Sequence, residues 1–456
     1  MQHVMVMTST ASIGIMTLFV VDLVDMYFLS LLGEQALAAA IGYAGTILFF
    51  TTAFCIGIAI ATGALVSKSL GQQDEDRAKR FASSSLTFGV FLSIIISIGV
   101  WINIPLFLDW LGATGQAKIL AAQYLRIIIP SMPLLCIAMS GGGILRAAGD
   151  AKRAMYSTVA GGLVNAVLDP ILIFGLSMGI EGAAWASVMA RVTVMVVAIK
   201  GAYQVHHLIG GISISDFFSS LPDIFKIAVP AVLTNVATPI GNAYVISTMA
   251  KYGDGIVAGM SIVGRITPVA FGVIFALSGA VGPIIGQNFG AKNLQRVRST
   301  LNDAMIFCTV VVTCISIILY FIQGLIISGF GASGEAASII SLFCTFIAFS
   351  FLFNGFLFIA NAAFNNLGYA HYSTIFNFAK ATLGTIPFVY VGALLAEGSG
   401  VLIGQAIGTV ITGVLAIVLC FRLLRRCDQP GEVQAGPKKK PFNLRIPIWP
   451  QSETRG

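Results

Sequence analysis

The chain has 456 residues, of which 57% are hydrophobic and only 10% charged, and its mean hydropathy is +0.91. A soluble globular protein carries about 25% charged residues, so this composition excludes a water-soluble domain of this length. The net charge of +7 comes from basic residues that are concentrated in particular loops and in the tail, which does not favour a nucleic-acid partner.

Breaks at glycine, proline and charge clusters divide the chain into twelve apolar segments, each long enough to cross a bilayer. We therefore predict an all-α polytopic membrane protein with twelve transmembrane helices. The predicted spans are 7–31, 36–64, 84–104, 120–142, 154–176, 182–203, 226–249, 256–283, 301–323, 336–362, 372–396 and 399–423.

The loops between these spans alternate in charge, with lysine and arginine concentrated after the even-numbered spans. Cytoplasmic loops hold the excess of basic residues, so we predict that these loops and both termini are cytoplasmic. The tail at 424–456, which contains RRCDQPGEVQAGPKKKP, is predicted to be a disordered basic cytoplasmic segment.

The chain also contains an internal repeat. The stretch LVSKSLGQQDEDRAKR at 65–80 aligns with IIGQNFGAKNLQRVRS at 284–299, and ILRAAGDA at 144–151 aligns with AFNNLGYA at 363–370. In both alignments each residue of the second stretch follows its counterpart in the first by the same number of residues, as residue 284 follows residue 65. We call this number of residues the repeat offset. Six spans per repeat give two halves that enter the membrane in the same direction, as in transporters whose substrate site lies between two bundles.

This repeat predicts two pseudo-symmetric six-helix lobes. The predicted units are an N-terminal lobe at 1–203, which contains the candidate functional residues described next, a cytoplasmic linker at 204–225, a C-terminal lobe at 226–423 and the tail.

Polar residues within three spans of the N-terminal half are the candidate functional residues. Asp25 in FVVDLVDMYFLSLLG, Asp169 in the fifth span and Ser187 in the sixth lie about 8–10 Å below the external surface, at about 1.5 Å per residue. Asn165 lies one helical turn before Asp169 on the same face, and Asp22 lies three residues before Asp25. We expect these five side chains to converge.

Several carboxylates in an apolar bundle cannot all stay ionised without a cation. The site is therefore predicted to hold a proton, a metal cation, or both in alternation. Asp25, Asn165, Asp169 and Ser187 offer the oxygen ligands that Na⁺ needs, so Na⁺ and H⁺ both stay open. A purely structural interpretation is that Asp169, before Pro170, stabilises a helix break and that Asn165 joins two helices.

Basic residues also fall within the spans. Arg126 and Lys380 are predicted to lie near span ends, with their charged groups reaching the interface. Arg265 lies deeper, where internal pairing and, as the weaker alternative, a role in substrate binding both stay open.

Four stretches carry a resemblance to the MATE (multidrug and toxic compound extrusion) transporters over nearly the whole chain. They are VDMYFLSLLGEQALAAA, LRAAGDAKRAMYSTVAGGLVNAVLDPILIFG at 145–175, GIEGAAWAS and GQNFGAKN. The resemblance implies a twelve-helix, two-lobed fold and cation-coupled export of amphipathic, often cationic compounds by alternating access. It also implies a multi-pass protein of a prokaryotic inner membrane, with no cofactor other than the coupling ion H⁺ or Na⁺.

The family's cation-coupling pattern matches Asp25, Asn165, Asp169 and Ser187, where the family usually has threonine, but it does not include Asp22. Spans seven and ten lack acids, which resembles the DinF-like branch, whose coupling site lies in the N-terminal lobe. The family's usual proline ahead of the first-span aspartate is missing, with Thr10 near that position. Bending of the first span at a proline is therefore not expected.

Other functions are weaker alternatives. An exporter of an endogenous metabolite or a lipid-linked-precursor flippase of the same superfamily stays open, although a flippase predicts fourteen spans and a strongly cationic cavity. An intramembrane enzyme is disfavoured because HExxH, GxSxG and Walker A motifs are missing. We expect a monomeric transporter of small molecules in the lipid bilayer, neither an enzyme nor a nucleic-acid-binding protein.

Overall fold

The computed structural model describes residues 2–30, 35–211 and 213–427. Within these ranges the chain forms fifteen α-helices and no β-strand. The helices are α1 Gln2–Ser30, α2 Gln35–Gly71, α3 Glu75–Ile102, α4 Ile104–Trp110, α5 Gly115–Ile128, α6 Met132–Ala147, α7 Ala151–Pro170, α8 Gly179–Lys200, α9 Ile214–Met249, α10 Asp254–Gly290, α11 Leu294–Gly329, α12 Gly334–Leu342, α13 Ala348–Leu367, α14 Ala370–Ala381 and α15 Ile386–Cys427.

Eleven stretches of the described chain are long and apolar enough to cross a membrane, and the last of them, Ala370–Cys427, contains two spans. The chain reverses within α15, where Ala396 and Glu397 leave helical geometry and Glu397 has a φ of +49°. The two arms pack closely because glycines face each other or the opposite backbone. A Cβ at these positions would overlap the backbone of the other arm. The close pairs are Gly392 with Gly400, Phe388 with Gly404, and Gly384 with Gly408. The predicted twelve-helix fold is confirmed.

Several helices extend beyond the predicted spans. α3 begins at Glu75 rather than at residue 84, and α11 begins at Leu294 rather than at residue 301. The side chains of Asp74 and Asn293 accept hydrogen bonds from Arg77 N at 2.9 Å and Arg296 N at 3.0 Å. These caps satisfy free N–H groups at each helix start, so both helices can begin in water before the apolar run.

The internal repeat is present in the backbone as well as in the sequence. Residues with positive φ recur at the repeat offset, and the capping residues Asp74 and Asn293 are related by that offset too. The positive-φ pairs are Gln73 and Lys292, Gly112 and Gly331, Gly115 and Gly334, and Gly149 and Gly368. Helices α1–α8 form the first lobe, and α9–α15 form the second.

The two lobes pack together at the end of the bundle that carries the basic loops. A Cβ at Gly71 of α2 would overlap Gln287 of α10, and Gln287 Nε2 donates a hydrogen bond of 2.7 Å to the Ala147 carbonyl. Near mid-membrane, Phe19 of α1 meets Phe275 of α10 edge-on at 6.2 Å. In the other half of α2, the described neighbours leave more than 4 Å of space beside a Cβ at Gly42 or Gly45.

The segment between the lobes packs against α3. Gly210 N donates to Ser83 Oγ at 3.0 Å, Arg80 Nη1 donates to Asp216 Oδ1 at 3.2 Å, and the Phe88 and Phe225 rings lie 4.9 Å apart. Because α9 begins at Ile214, the second half of the predicted linker is helical.

Candidate functional site

Three of the predicted site residues meet at one side-chain amide. Asn165 Nδ2 donates hydrogen bonds to Asp25 Oδ1 at 3.1 Å and to Asp169 Oδ2 at 3.0 Å. Asn165 and Asp169 lie one turn apart on α7, and Asp25 reaches them from α1. Asp169 is 0% exposed and Asn165 5%. The first and fifth spans therefore place two carboxylates around a single nitrogen atom inside the first lobe.

Glycine residues set how closely α1 approaches α7. A Cβ at Gly162 would lie 2.7 Å from Thr17 Cγ2 and 3.1 Å from Val21 Cγ2, both on α1. Gly14 of α1 faces Thr158 of α7 in the same way, at 3.6 Å. Small residues allow helix backbones to come close in membranes, and this close contact lets the short Asp25 side chain reach Asn165.

Asp169 lies at the end of α7, directly before a change in helix geometry. Pro170 ends the regular helix, and residues 171–175 form a π-helical turn. A Cβ at Gly182 of α8 would lie 2.7 Å from the Leu172 carbonyl carbon in that turn. Gly182 thus lets α8 pack against the turn, and this contact places Ser187 on the same side of the lobe.

Asp169 Oδ1 is the buried acceptor at this site that has no hydrogen-bond donor among the described residues. An uncompensated carboxylate oxygen away from water is costly, so the atom is suited to a proton or a cation. A proton fits the observed arrangement directly. Na⁺ would require the Asn165 amide to rotate, since its nitrogen, not its oxygen, faces both carboxylates. The described residues contain no cluster of three or more His, Cys, Asp or Glu side chains suited to a metal ion.

Ser187 joins the site through a residue that the sequence analysis did not identify. Its hydroxyl interacts with the Tyr124 phenol, which lies close enough to Asp25 and Asp169 to interact with their charges. Tyr124 belongs to α5 and packs against the cluster of Ile173 and Ala183, so a fourth helix borders the site. The side chain of Asp22 lies outside the described part of the structure.

Two prolines break the fourth span next to Tyr124. Pro130 and Pro133 lack N–H groups, which frees the carbonyls of Arg126 and Ile129. Side chains of α3 donate hydrogen bonds to both carbonyls. Trp101 Nε1 donates to the Arg126 carbonyl at 3.2 Å, and Ser97 Oγ donates to the Ile129 carbonyl at 2.8 Å. Both freed carbonyls therefore have donors, and these bonds tie the break after α5 to α3.

Arg191 is a second residue that the sequence analysis missed. Its Nη1 donates to the Ile128 carbonyl at 3.1 Å and to Ser131 Oγ at 2.8 Å, so it ties α8 to the proline break. The sequence feature that could have identified Arg191 is its position four residues after Ser187, on the same helical face of an apolar span.

The interpretation of Lys380 as a residue near a span end is wrong. Lys380 Nζ donates a hydrogen bond of 2.5 Å to Asn354 Oδ1, inside the second lobe. Asn354 lies more than three turns before the end of α13, so the ammonium group is held within the bundle instead of reaching the interface. Arg126 and Arg265 are both exposed.

A model of the MatE family matches residues 11–171 and 230–391. The starts of the two matches are separated by the repeat offset, and together the matches cover most of the chain. The chain therefore belongs to the MATE family, whose members are transporters and not enzymes, and it is an integral, multi-pass membrane protein.

Two relatives and one solved structure match over most of their lengths. The "FAD transporter" of Shewanella oneidensis is 28% identical over 92% of this chain and 93% of its own. The "Multidrug export protein MepA" of Staphylococcus haemolyticus is 24% identical over 91% and 92%. A crystal structure of a mutant of the Vibrio cholerae MATE transporter VcmN superimposes with a TM-score of 0.88 at 23% identity, covering 93% of this chain and 97% of that one.

Proposed function

We propose that this chain exports amphipathic organic compounds in exchange for protons, by alternating access between its two lobes. The observation that carries the proposal is the paired carboxylates at Asn165, with Asp169 Oδ1 buried and without a donor. Family membership and the relative named for multidrug export support the transport function.

The contacts between the lobes suggest which state the structure represents. They lie at the end of the bundle that carries Lys68, Arg146 and Arg296, and basic loops are cytoplasmic. With both termini in the cytoplasm of a prokaryotic cell, this is an outward-facing state. The cavity between the lobes would then open to the outside, where a proton can enter and a substrate can leave.

Helix α1 provides the physical link between the site and the lobe interface. It carries Asp25 near its outer end and Phe19 at the contact with Phe275 of α10. Protonation of Asp169 removes one of the two negative charges around Asn165, so the hydrogen bonds that hold α1 against α7 change. A ligand shifts a conformational equilibrium only through different affinities for the two states, and this charge change supplies that difference.

A second candidate function is export of an aromatic metabolite produced by the cell itself. It is favoured by the relative named for FAD transport, which matches over 93% of its own length. The same coupling site would serve either kind of substrate.

The deciding experiment measures ethidium transport by the full chain in proteoliposomes under an imposed ΔpH or an imposed Na⁺ gradient. We expect ΔpH to drive transport in the wild type, and Asp25→Asn and Asp169→Asn to reduce it to the level of empty vesicles. Asp76→Asn removes an exposed acid from the first turn of α3 and is the matched control. Normal ΔpH-driven transport by both site variants would refute the coupling assignment, and transport driven by Na⁺ alone would replace the proton with Na⁺.

A further inference from the structure

Lys380 places a positive charge inside the second lobe. The chain breaks from helix at residues 382–385, directly after α14, and Lys380 lies in the last turn of that helix. Its hydrogen bond to Asn354 crosses from α14 to α13. An ionisable residue within a membrane bundle usually faces the protein interior or a water-filled cavity and marks a substrate or ion pathway.

The charge on Lys380 is not matched by an acid. An ammonium group has three donors, and among the described residues its hydrogen-bond partner is the neutral Asn354, with no carboxylate within ion-pair distance. The next contact along the same two helices is also neutral, with Asn377 Nδ2 donating to Asn361 Oδ1 at 3.1 Å. Lys380 is half-buried, so part of its side chain remains accessible.

An aromatic cluster adjoins this lysine. Phe351 and Phe358 lie one turn from Asn354 on either side, on the same face of α13. Phe351 stacks on Phe271 of α10 with ring centroids 4.3 Å apart, and Phe275 lies 5.3 Å from Phe358. We call this set, together with Phe19, the aromatic floor; its members are Phe19, Phe271, Phe275, Phe351 and Phe358.

The aromatic floor lies where the lobes meet, because Phe19 of the first lobe contacts Phe275 of the second. The face of α13 that carries Asn354 therefore borders the space between the lobes. Four of the five rings are only partly buried, so they can form the inner end of a cavity that opens between the lobes.

Arg265 of α10 adds a second positive charge to the second lobe. It lies two turns before Gly272, whose Cβ would lie 2.6 Å from Met16 Sδ of the first lobe. α10 bends at Phe271. Arg265 lies in the helical turns before this bend, on nearly the same face of α10 as Gly272. Arg265 is exposed and has no salt bridge among the described residues.

We propose that the second lobe forms an anion-recognition site for aromatic organic anions. Lys380 binds a carboxylate or phosphate, Arg265 contributes a second positive charge in the same lobe, and the aromatic floor stacks on a planar ring system. The proposal rests on the proposed transport function and adds aromatic organic anions to the compounds that the chain exports. It separates the two tasks in space, with acids for the coupling ion in the first lobe and basic groups for the substrate in the second.

The test compares three flavins that share one fluorescent ring system. Riboflavin is neutral, 10-carboxymethylflavin carries a carboxylate, and riboflavin 5′-phosphate carries a phosphate. Binding to the purified full-length protein is measured by fluorescence titration at low ionic strength. We expect wild type to bind at least one flavin anion about ten-fold or more tighter than riboflavin, since a hydrogen bond to a charged group typically changes affinity by about ten- to one-hundred-fold.

Lys380→Gln should abolish that preference and leave riboflavin binding unchanged, whereas Lys380→Arg should retain it. Arg126→Gln, at an exposed position beside Trp101, is the charge-matched control and should behave as wild type. Tighter binding of the carboxylate or of the phosphate identifies which anion the site takes. Size-exclusion profiles establish that each variant is folded, and Lys380→Met provides a second neutral variant if Lys380→Gln is unstable.

Equal affinity of wild type for all three flavins would overturn the proposal, and so would an equal loss of neutral and anionic binding in Lys380→Gln. The titration contains no ion gradient, so its outcome is independent of the coupling mechanism. If ΔpH fails to drive ethidium transport while the anion preference depends on Lys380, the proposed function fails and the anion site stands.

Discussion

The two lobes have the same backbone plan and opposite polar chemistry. Positive-φ residues recur at the repeat offset, yet the first lobe has two carboxylates around Asn165 and the second has Lys380 on Asn354. At that offset, the positions that correspond to Asp25, Asn165 and Asp169 are Tyr244, Gly384 and Phe388. A duplicated fold therefore provides two frameworks, and the side chains within each determine which charge it can hold.

The difference also appears in how each lobe uses asparagine. Asn165 bridges two charged groups and is 5% exposed. Asn377 is 7% exposed, and its Nδ2 donates to two neutral acceptors. These are Asn361 Oδ1 on α13 and, within its own helix, the Ser373 carbonyl at 2.8 Å. Removal of the first amide leaves two carboxylates without their shared donor, whereas removal of the second breaks a bond between neutral groups.

The largest expected effect follows from this pair of asparagines. Asn165→Leu should reduce ΔpH-driven transport to background, because the carboxylates lose their common donor and α1 loses its polar contact with α7. Asn377→Leu should keep transport near wild type, with a loss of about 0.6 kcal/mol in stability, the average for hydrogen bonds between membrane helices, for which the maximum is about 1.7 kcal/mol. Transport assays and thermal unfolding of both variants check this, and equal loss of transport would mean that the amides act alike.

The second expected effect concerns folding of the second lobe. A Cβ at Gly408 would overlap the Gly384 backbone at the hairpin of the last two spans, where neither backbone can move without separating the arms. Gly408→Val should therefore strongly lower the yield of folded protein. Gly45→Val is the control, because the described neighbours leave more than 4 Å around its Cβ. The measurement is the monodisperse fraction after detergent extraction, and similar yields would show that the hairpin tolerates a wider spacing.

A smaller effect is expected where α1 meets α7. Gly162→Val would insert methyl groups between the helices, and Thr17 and Val21 would have to shift to accommodate them. Since those neighbours are side chains rather than backbone, we expect the protein to fold and ΔpH-driven transport to fall several-fold, as Asp25 moves away from Asn165. A parallel assay on Gly42→Val, where the described surroundings leave more than 4 Å of space, controls for the added volume. Full transport by Gly162→Val would mean that the carboxylate pair tolerates this displacement.

The sequence predicted the fold well because hydrophobic length, glycine breaks and repeat spacing are local properties of the chain. It also predicted that Asp25, Asn165 and Asp169 would converge, because depth along three helices follows from residue number. It did not identify Tyr124 or Arg191, since both depend on the proline break that sets the rotation of the fourth span. The prediction for Lys380 was wrong for a similar reason. Residue number gives its depth along the span, but the direction of its side chain depends on the partner helix α13.

The smallest expected effect concerns a helix cap that only one lobe has. Asp150 caps α7: its Oδ1 accepts from Arg153 N at 3.0 Å, and its Oδ2 accepts from His206 Nε2 at 2.9 Å and from the Arg153 guanidinium. Partial burial acts to raise the pKa of Asp150, but the hydrogen bonds from His206 and Arg153 outweigh it and hold that pKa well below its usual range. At the repeat offset the second lobe has Tyr369, whose side chain does not cap α14.

Asp150→Ala should therefore lower stability by about 0.5–2 kcal/mol, the range for loss of a helix cap, and Asp150→Asn by less because asparagine still caps. A carboxylate whose pKa is lower in the folded state stabilises the protein above its unfolded pKa of about 3.9. The difference between wild type and Asp150→Asn should thus hold from pH 8 to pH 5 and shrink as the pH falls below about 4. Thermal unfolding in detergent across this range measures it, with His206→Gln to separate the contribution of the imidazole. A difference that grows as the pH falls below about 4 would contradict the assignment, because it would require the folded state to favour the protonated acid.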